Sequence, residues 1–477
     1  AAGLAWWAAH RRPSGRSASG QTTLAILPFQ NLGADASTDY LKLALPDEIA
    51  TTLSYVPSLA IRPFASTRKY SKPDVDPQTA GKELAVAQVF SGHFMREGDR
   101  LQVTLEVIDT ESNRLLWRDT LGVAASDLIG LRGEITAHLR QGLFPVLQAG
   151  TSKPEASAPK NPEAYDLYLR ASAISRDPGP NKEALAMLRR AVALDPVYAP
   201  AWNALGVREY YDATYADGGS AALERARAAH ERALSLDPNL TDAAMNLVIL
   251  RVEGGDLAGA IEEASRILRQ RPDSARAHFT MAYVLRYTGA MEESAGECDA
   301  ALAIDPKDSW WRSCATTFSH LGNYERAEDY IRLDAGTQWA ALVESWVRLR
   351  QGRPAEALTA LARAPNDERA QMARACLEGR RLPEDDPILR KLESQASAKR
   401  DPEPKYYDAG WLCYCGYTGT ALRLLRQAVE GNYLVFPAMD RDPLFAKVRN
   451  TAEFASIRAL AIEKQKQLAA RPGTAAR

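Results

Sequence analysis

The chain has 477 residues with 59 basic and 60 acidic side chains, so a formal charge of −1 leaves no global basic field to gather phosphates. That disfavours direct nucleic-acid binding by this stretch. With 46% hydrophobic residues the chain can fill two or three cores, and five scattered cysteines, an odd number, do not suggest a disulfide framework.

The opening run Ala1–Ala9 is apolar, carries Trp6 and Trp7, and stands before Arg11 and Arg12. A spanning helix needs roughly 20 apolar residues, so this shorter run reads as the last turns of a transmembrane helix, or else as a signal-peptide remnant or a fragment end. With the polar stretch Pro13–Gly20 it makes residues 1–20 a membrane end and linker. From 21 to 148 the pattern is α/β. Leu24–Phe29 predicts a buried strand, Asp47–Leu53 an amphipathic helix, Leu59–Arg62 a strand and Gln78–Leu84 a helix. Gln88–Phe94 and Leu101–Ile108 predict strands joined across Glu97-Gly98-Asp99. Leu101, Val103, Leu105 and Val107 fall on the packed face, and Gln102, Thr104 and Glu106 on the wet one. Leu115–Thr120 adds a strand and Asp127–Leu147 a long helix.

The stretches LAILPFQNLG, LPDEIATTLS, GKELAVAQVFSGHFMREGDRLQVTLEVIDTESNRLLW and DLIGLRGEITAHL, in that order, resemble the TolB-like N-terminal domain that precedes helical repeats in bacterial membrane-anchored regulators. The family's usual Leu-Glu-Gly is replaced within Val89-Phe90-Ser91-Gly92, which keeps the glycine. The resemblance implies a folded spacer or sensor and carries over no catalytic residue.

A linker rich in Ser, Pro, Ala and Lys, 149–160, separates this unit from a helical half. Asn161–Pro196 is a first, looser helix pair. Pro238, Pro272 and Pro306 each close an Ala-rich helix and stand 34 residues apart. Trp202, Leu205, Gly206, Ala226, Ala233 and Pro238 fit the pattern of two interlocking antiparallel helices, which is similar to the tetratricopeptide repeat (TPR). Such a repeat cannot bury its apolar face alone, so the fold class expected is multidomain, an α/β TolB-like domain followed by an all-α TPR solenoid with a C-terminal cap over 161–460 and a tail at 461–477. Pro196 to Pro238 spans 42 residues, and the excess at Tyr210–Gly219 is expected to be a loop between two helices. Weaker repeats follow around Gly322, Gly352 and Gly416, and Arg380–Pro404 is expected to be a loop or irregular helix. Asn432–Leu460, with Asp442-Pro443-Leu444-Phe445, resembles the closing segment of the same regulators, where it covers the last repeat's apolar face.

Catalytic motifs are sparse. There is no GxxxxGK[ST], since Gly81-Lys82 is followed by Glu83, and no GxGxxG, HExxH, CxxC or GxSxG. His10, His93, His138, His230, His278 and His320 have no ligand spacing. Cys298 and Cys314 read as small buried hydrophobes, while Cys413 and Cys415 form a pair that could bind metal or oxidise, with no second cluster nearby. No catalytic residue, metal or cofactor is therefore expected. Function is sought in the groove lined by the first helix of each repeat: Asn203, Tyr210, Tyr211, Met245, Ile249, Phe279, Tyr283, Arg286, Tyr287, Arg312, Thr316 and His320. These types dominate binding energies, so they would hold a protein or peptide, although aromatics there equally serve to pack repeat on repeat. The Lys and Asn set with which chaperone-type repeats clamp a terminal carboxylate is unmatched, because Asn203 and Asn246 lack the lysines.

The whole arrangement resembles the non-catalytic half of a bacterial inner-membrane signalling protein, single-pass, with the soluble part in the periplasm. That resemblance implies a serine/threonine kinase as the missing output domain, or alternatively a CadC-type winged helix or an adenylate cyclase. A free-standing periplasmic TPR scaffold is the other reading.

Overall fold

The computed structural model describes residues 21–33, 35–56, 58–72, 75–150, 158–216 and 218–471. The predicted membrane-helix end and linker at 1–20, most of the linker 149–160 and the end of the tail lie outside the described residues. Among the described residues no helix is long and apolar enough to cross a membrane. Contacts divide the chain into two compact units, one running to Ala244 with Ile304–Lys307, the other comprising Met245–Ala303 and Asp308 onward.

In the first unit, strands β1 (Thr22–Ile26), β3 (Leu59–Ile61), β4 (Gln88–Glu97), β5 (Arg100–Asp109) and β6 (Leu115–Ala124) form a sheet in the order β3-β1-β4-β5-β6, with the two-residue β2 (Gln30–Asn31) beside β4. The β1 pairings are parallel, and β4-β5-β6 is an antiparallel meander. Glu97 pairs with Arg100 across the tight turn, and Gly98 takes φ +59°, a region in which a side chain would be strained. The alternation in β5 holds on its apolar side, where Leu101, Val103, Leu105 and Val107 are all buried. Thr104 departs from the expected wet face: it too is buried, its hydroxyl 3.1 Å from that of Thr120 on β6. The helices Leu41–Ser54 and Leu128–His138 cover the apolar face through Leu45, Ile49, Leu53, Leu131 and Ile135.

That core does not stop at the linker. Tyr165, Tyr168, Leu169, Tyr198 and Leu205, from the first helix pairs, belong to the same cluster as the sheet's Phe90 and Val103. A buried Glu48 on the Leu41–Ser54 helix meets Arg132 at 2.5 Å and lies 3.4 Å from the hydroxyls of Tyr168 and Tyr198. The helix pairs here are Pro162–Ala173 with Pro178–Leu194 and Ala199–Tyr215 with Gly219–Leu236. Gly206 is required in the second pair, since a Cβ there would stand 2.6 Å from the His230 ring.

Two expectations are corrected by these helices and their successors. Tyr210–Tyr215 is helical and no loop: the Ala199–Tyr215 and Gly219–Leu236 helices have 17 and 18 residues against 13 and 14 in Thr241–Glu253 and Leu257–Gln270, so the inserted residues lengthen both partners by about a turn. Within Arg380–Pro404 a regular helix, Pro387–Ala398, forms because Asp386 caps it and Leu389, Leu392 and Ala396 share a buried stripe.

In the second unit further pairs follow, among them Ala275–Thr288 with Met291–Ile304, Gln338–Arg350 with Pro354–Leu361, and Glu403–Tyr414 with Thr418–Glu430. Leu444 and Phe445 are buried in the expected closing segment, and the final helix, Ala452–Ala469, continues past the expected end at Leu460. The cysteines are the clearest correction. Cys298 is bonded to Cys314 and Cys376 to Cys415, leaving Cys413 as a buried free thiol, so the sequence pair Cys413/Cys415 is divided between two roles. Spacings of 16 and 39 residues hid these pairs, which only helix packing brings together.

Denatured without reductant, the purified chain should therefore expose a single reactive thiol, Cys413. Replacing Cys298 and Cys314 together by Ser should cost about 3 kcal/mol in urea unfolding, the loop-closure value for a bridge of this span. Five reactive thiols in protein folded under oxidising conditions would refute the pairing.

Candidate partner-binding surfaces

The predicted groove residues divide into a buried set and a set that keeps surface. Met245, Phe279, Tyr283, Arg286, Tyr287, Thr316 and His320 are buried in the second unit. Arg286, Tyr287 and His320 are covered by this chain's own residues 401–434, whereas Phe279 packs on Trp311 and Tyr283, and Tyr283 donates to Glu253. Arg286, 0% exposed, places Nε 2.9 Å from Glu403 Oε1 and donates from Nη1 to the Ser313 carbonyl at 2.9 Å. Tyr287 donates to Asp401 at 2.8 Å, and Tyr433 donates to Glu403 at 3.1 Å. His320 Nε2 lies 2.7 Å from the Tyr433 hydroxyl, and its ring stacks on Tyr407, which in turn lies flat on Trp346 with centroids 4.2 Å apart. Burial first, then the charges of Arg350, Arg286 and Arg441, keep the His320 imidazole well below its usual pKa, hence neutral.

The main chain seals the contact. Leu434 N donates to the Tyr287 carbonyl at 2.8 Å, and Gly289, at φ +85°, has room for no Cβ because the Leu434 carbonyl would stand 2.4 Å from it. These residues therefore do not line an open trough. An Arg inside an apolar helix face signals that some carboxylate must reach it, yet nothing in the sequence says that Glu403, more than a hundred residues on, is that carboxylate.

Asn203, Tyr210, Tyr211, Ile249 and Arg312 keep part of their surface. Asn203 accepts at 2.9 Å from the His230 ring and so joins its own helix pair. Arg312 is paired with Asp334 at 2.9 Å and lies over Trp339. In the lengthened helix Tyr211 meets Tyr210 edge-on and Tyr215 at a tilt, and the guanidinium of Arg176 stands 5.3 Å from the Tyr211 ring. Arg176 is close enough to Arg68 and Arg208 for their charges to repel, and neither of those two was singled out by sequence reasoning. A separate cleft of about 770 Å³ at the ends of strands β1, β4 and β5 is lined by Thr22, Gly81, Lys82, Gln88, Thr110 and Gln148 among others. Among the described residues no cluster of His, Cys, Asp or Glu could hold a metal ion.

Residues 220–282 match the tetratricopeptide-repeat family. That stretch takes in most of the Gly219–Leu236 helix, the pair Thr241–Glu253 and Leu257–Gln270, and the start of Ala275–Thr288. Residues 20–137 match the family described as HilA/YgeH-like transcriptional regulator, second domain. The TPR-containing chain is also 28% identical over 188 residues to a putative adenylate cyclase 3 of Rhizobium meliloti strain 1021, a similarity covering 39% of this chain and 32% of that protein. The chain thus spans about a third of the length of that relative. Among solved structures, a TPR protein of Thermus thermophilus is 18% identical with TM-score 0.33, over 38% of this chain and 98% of the other. One from Parabacteroides merdae is 17% identical with TM-score 0.37, over 52% and 92%.

The C-terminal contact onto the TPR helices is sensitive to pH. Burial first, then the neighbouring Glu403, pushes Asp401 up to about 7, against the pull of its hydrogen bonds from Glu403 N and Tyr287 and of Lys399. Between the usual 3.8 and about 7 the folded chain holds a proton that the unfolded chain has lost, so this group's contribution to stability falls as pH rises through that window. Asp401→Asn, which keeps the accepting oxygen, should be more stable than the parent at pH 7 by about 2 kcal/mol, with the gain vanishing towards pH 4. Urea unfolding at both pH values measures this, and a pH-independent difference would show that Asp401 ionises normally.

Proposed function

We propose that this region is the protein-interaction and sensory part of a bacterial membrane-anchored signalling protein, binding a protein or peptide partner through its TPR-bearing half while a separate domain of a longer polypeptide delivers the output. The observation that carries the reading is the cyclase match. It takes in 39% of this chain and only 32% of the relative, as a module shared between longer proteins would. The output is accordingly read as a nucleotide cyclase. The regulator-domain match over 20–137 favours a second reading, a transcription regulator carrying the same α/β unit. Neither match names a protein kinase, and that expectation rests on the closing segment alone. The α/β unit is read as TolB-like on the sequence stretches that resemble that domain.

The soluble part is assigned to the periplasm, behind an anchor ending near Ala9. The two cystines support this, because such bonds persist in oxidising compartments and are rare in the cytosol. Alkaline phosphatase fused after the final helix of the natural full-length protein should be active in cells, and an inactive but stable fusion would move the region to the cytoplasm. In a host lacking its own cyclases, the full-length protein should produce cyclic AMP whereas the present chain alone should produce none. Turnover by this chain alone would overturn the non-catalytic reading, and transcriptional control by a full-length protein that makes no cyclic nucleotide would favour the second reading.

A further inference from the structure

We propose that Arg68, Arg176 and Arg208, with the rings of Tyr211 and Tyr215, form the seat for an acidic segment of a partner protein. This rests on the interaction reading above and narrows it to one surface of the first unit. The geometry is convergent. Arg208, on the Ala199–Tyr215 helix and 4% exposed, donates to the carbonyls of Ala171, Ile174 and Ser175 at 2.8, 2.7 and 2.7 Å. Arg68, next to the short helical turn Phe64–Thr67, donates to the Ala173 carbonyl. Arg176 follows in the same connection and lies over Tyr211. Three guanidinium groups thus gather at the C-terminal end of the Pro162–Ala173 helix.

Capping that helix explains only part of the gathering. A helix C-terminus carries roughly half a negative charge, which suits one cation. Among the described residues none of the three arginines forms an ion pair, and Arg176, exposed, makes no hydrogen bond at all. Asp47 is a carboxylate that feels them, through Arg176 and Arg68; burial pushes it up to about 6, which leaves it ionised at pH 7 but sets one carboxylate against three guanidinium groups. The strain shows on the cations: burial and then the repulsion of Arg176 and Arg68 bring Arg208 down to about 10, and Arg68 is lowered by burial and by Arg176. An arriving carboxylate would relieve this repulsion and take its planar, forked contact from the exposed Arg176, while Arg208, whose Nη donors are held by carbonyls, adds its charge from behind.

The neighbouring surface fits a peptide. The lengthened helix carries Tyr211 and Tyr215, the latter 46% exposed, with ring centroids 5.4 Å apart, and tyrosines beside arginines are the commonest anchors of protein contacts. A nucleic acid or a lipid surface would need a basic field that a chain of net charge −1 does not supply.

The test uses the chain as it stands. A random peptide display library selected against it should return sequences enriched in Asp and Glu. A selected peptide should bind Arg176→Ala and Tyr215→Ala roughly tenfold more weakly, with urea unfolding of both variants unchanged. Selected peptides without acidic enrichment, or with equal affinity for both variants, would overturn this site while leaving the interaction reading in place. No selectable peptide would overturn both. Binding of anionic lipid vesicles or single-stranded DNA that depends on Arg176 and exceeds that of the peptides would replace the acidic segment as the occupant.

Discussion

A guanidinium with no exposed surface has to be matched by a carboxylate in the same interior, and Arg286 is such a group. Its partner is Glu403, and the second unit is organised around that pairing. Once Glu403 is held there, Tyr287, Tyr407, Tyr433 and His320 complete a hydrogen-bonded and stacked lattice, and Asp401 is drawn in beside them. A second buried pair, Arg350 with Asp442 at 2.8 Å, ties the Gln338–Arg350 helix to the closing segment, with the Tyr406 hydroxyl 3.2 Å from the same carboxylate oxygen. Such networks favour one arrangement of the chain, since displacing any member leaves another buried polar group without its partner.

The consequence for binding is that repeat units which would ordinarily offer an inner surface use it on their own chain. Large aromatic and cationic side chains suit an internal ligand and an external one for the same reason: they combine contact area with a polar tip. The second unit assigns Arg286, Tyr287 and His320 to its own residues Asp401, Glu403 and Tyr433, and the two cystines lie in the same unit.

The first unit makes a different choice. Its sheet and its first helix pairs share one apolar core, pinned by Glu48, Arg132 and the tyrosines around them, so the α/β layer and the early repeats form a continuous body. Tyr210, Tyr211 and Tyr215 of the lengthened helix keep part of their surface, beside three arginines that face one carboxylate, Asp47. The binding surface proposed above lies where the repeat departs from its regular length.

The amino-acid sequence by itself determined the local elements: the 34-residue proline spacing, the alternation along Leu101–Val107 and the turn at Gly98 each follow from backbone preferences and a periodic apolar face, which neighbours along the chain suffice to express. It also marked the residue types of the site, since Tyr210, Tyr211 and Arg286 stood out by size and charge. Which of them stay available was decided only by tertiary structure, because burial of Tyr287 or His320 depends on Asp401, Glu403 and Tyr433, more than a hundred residues away. The same holds for Cys298 with Cys314 and for Arg68 with Arg208. Periodicity fixes which face a side chain occupies, whereas the packing of distant segments fixes what that face meets.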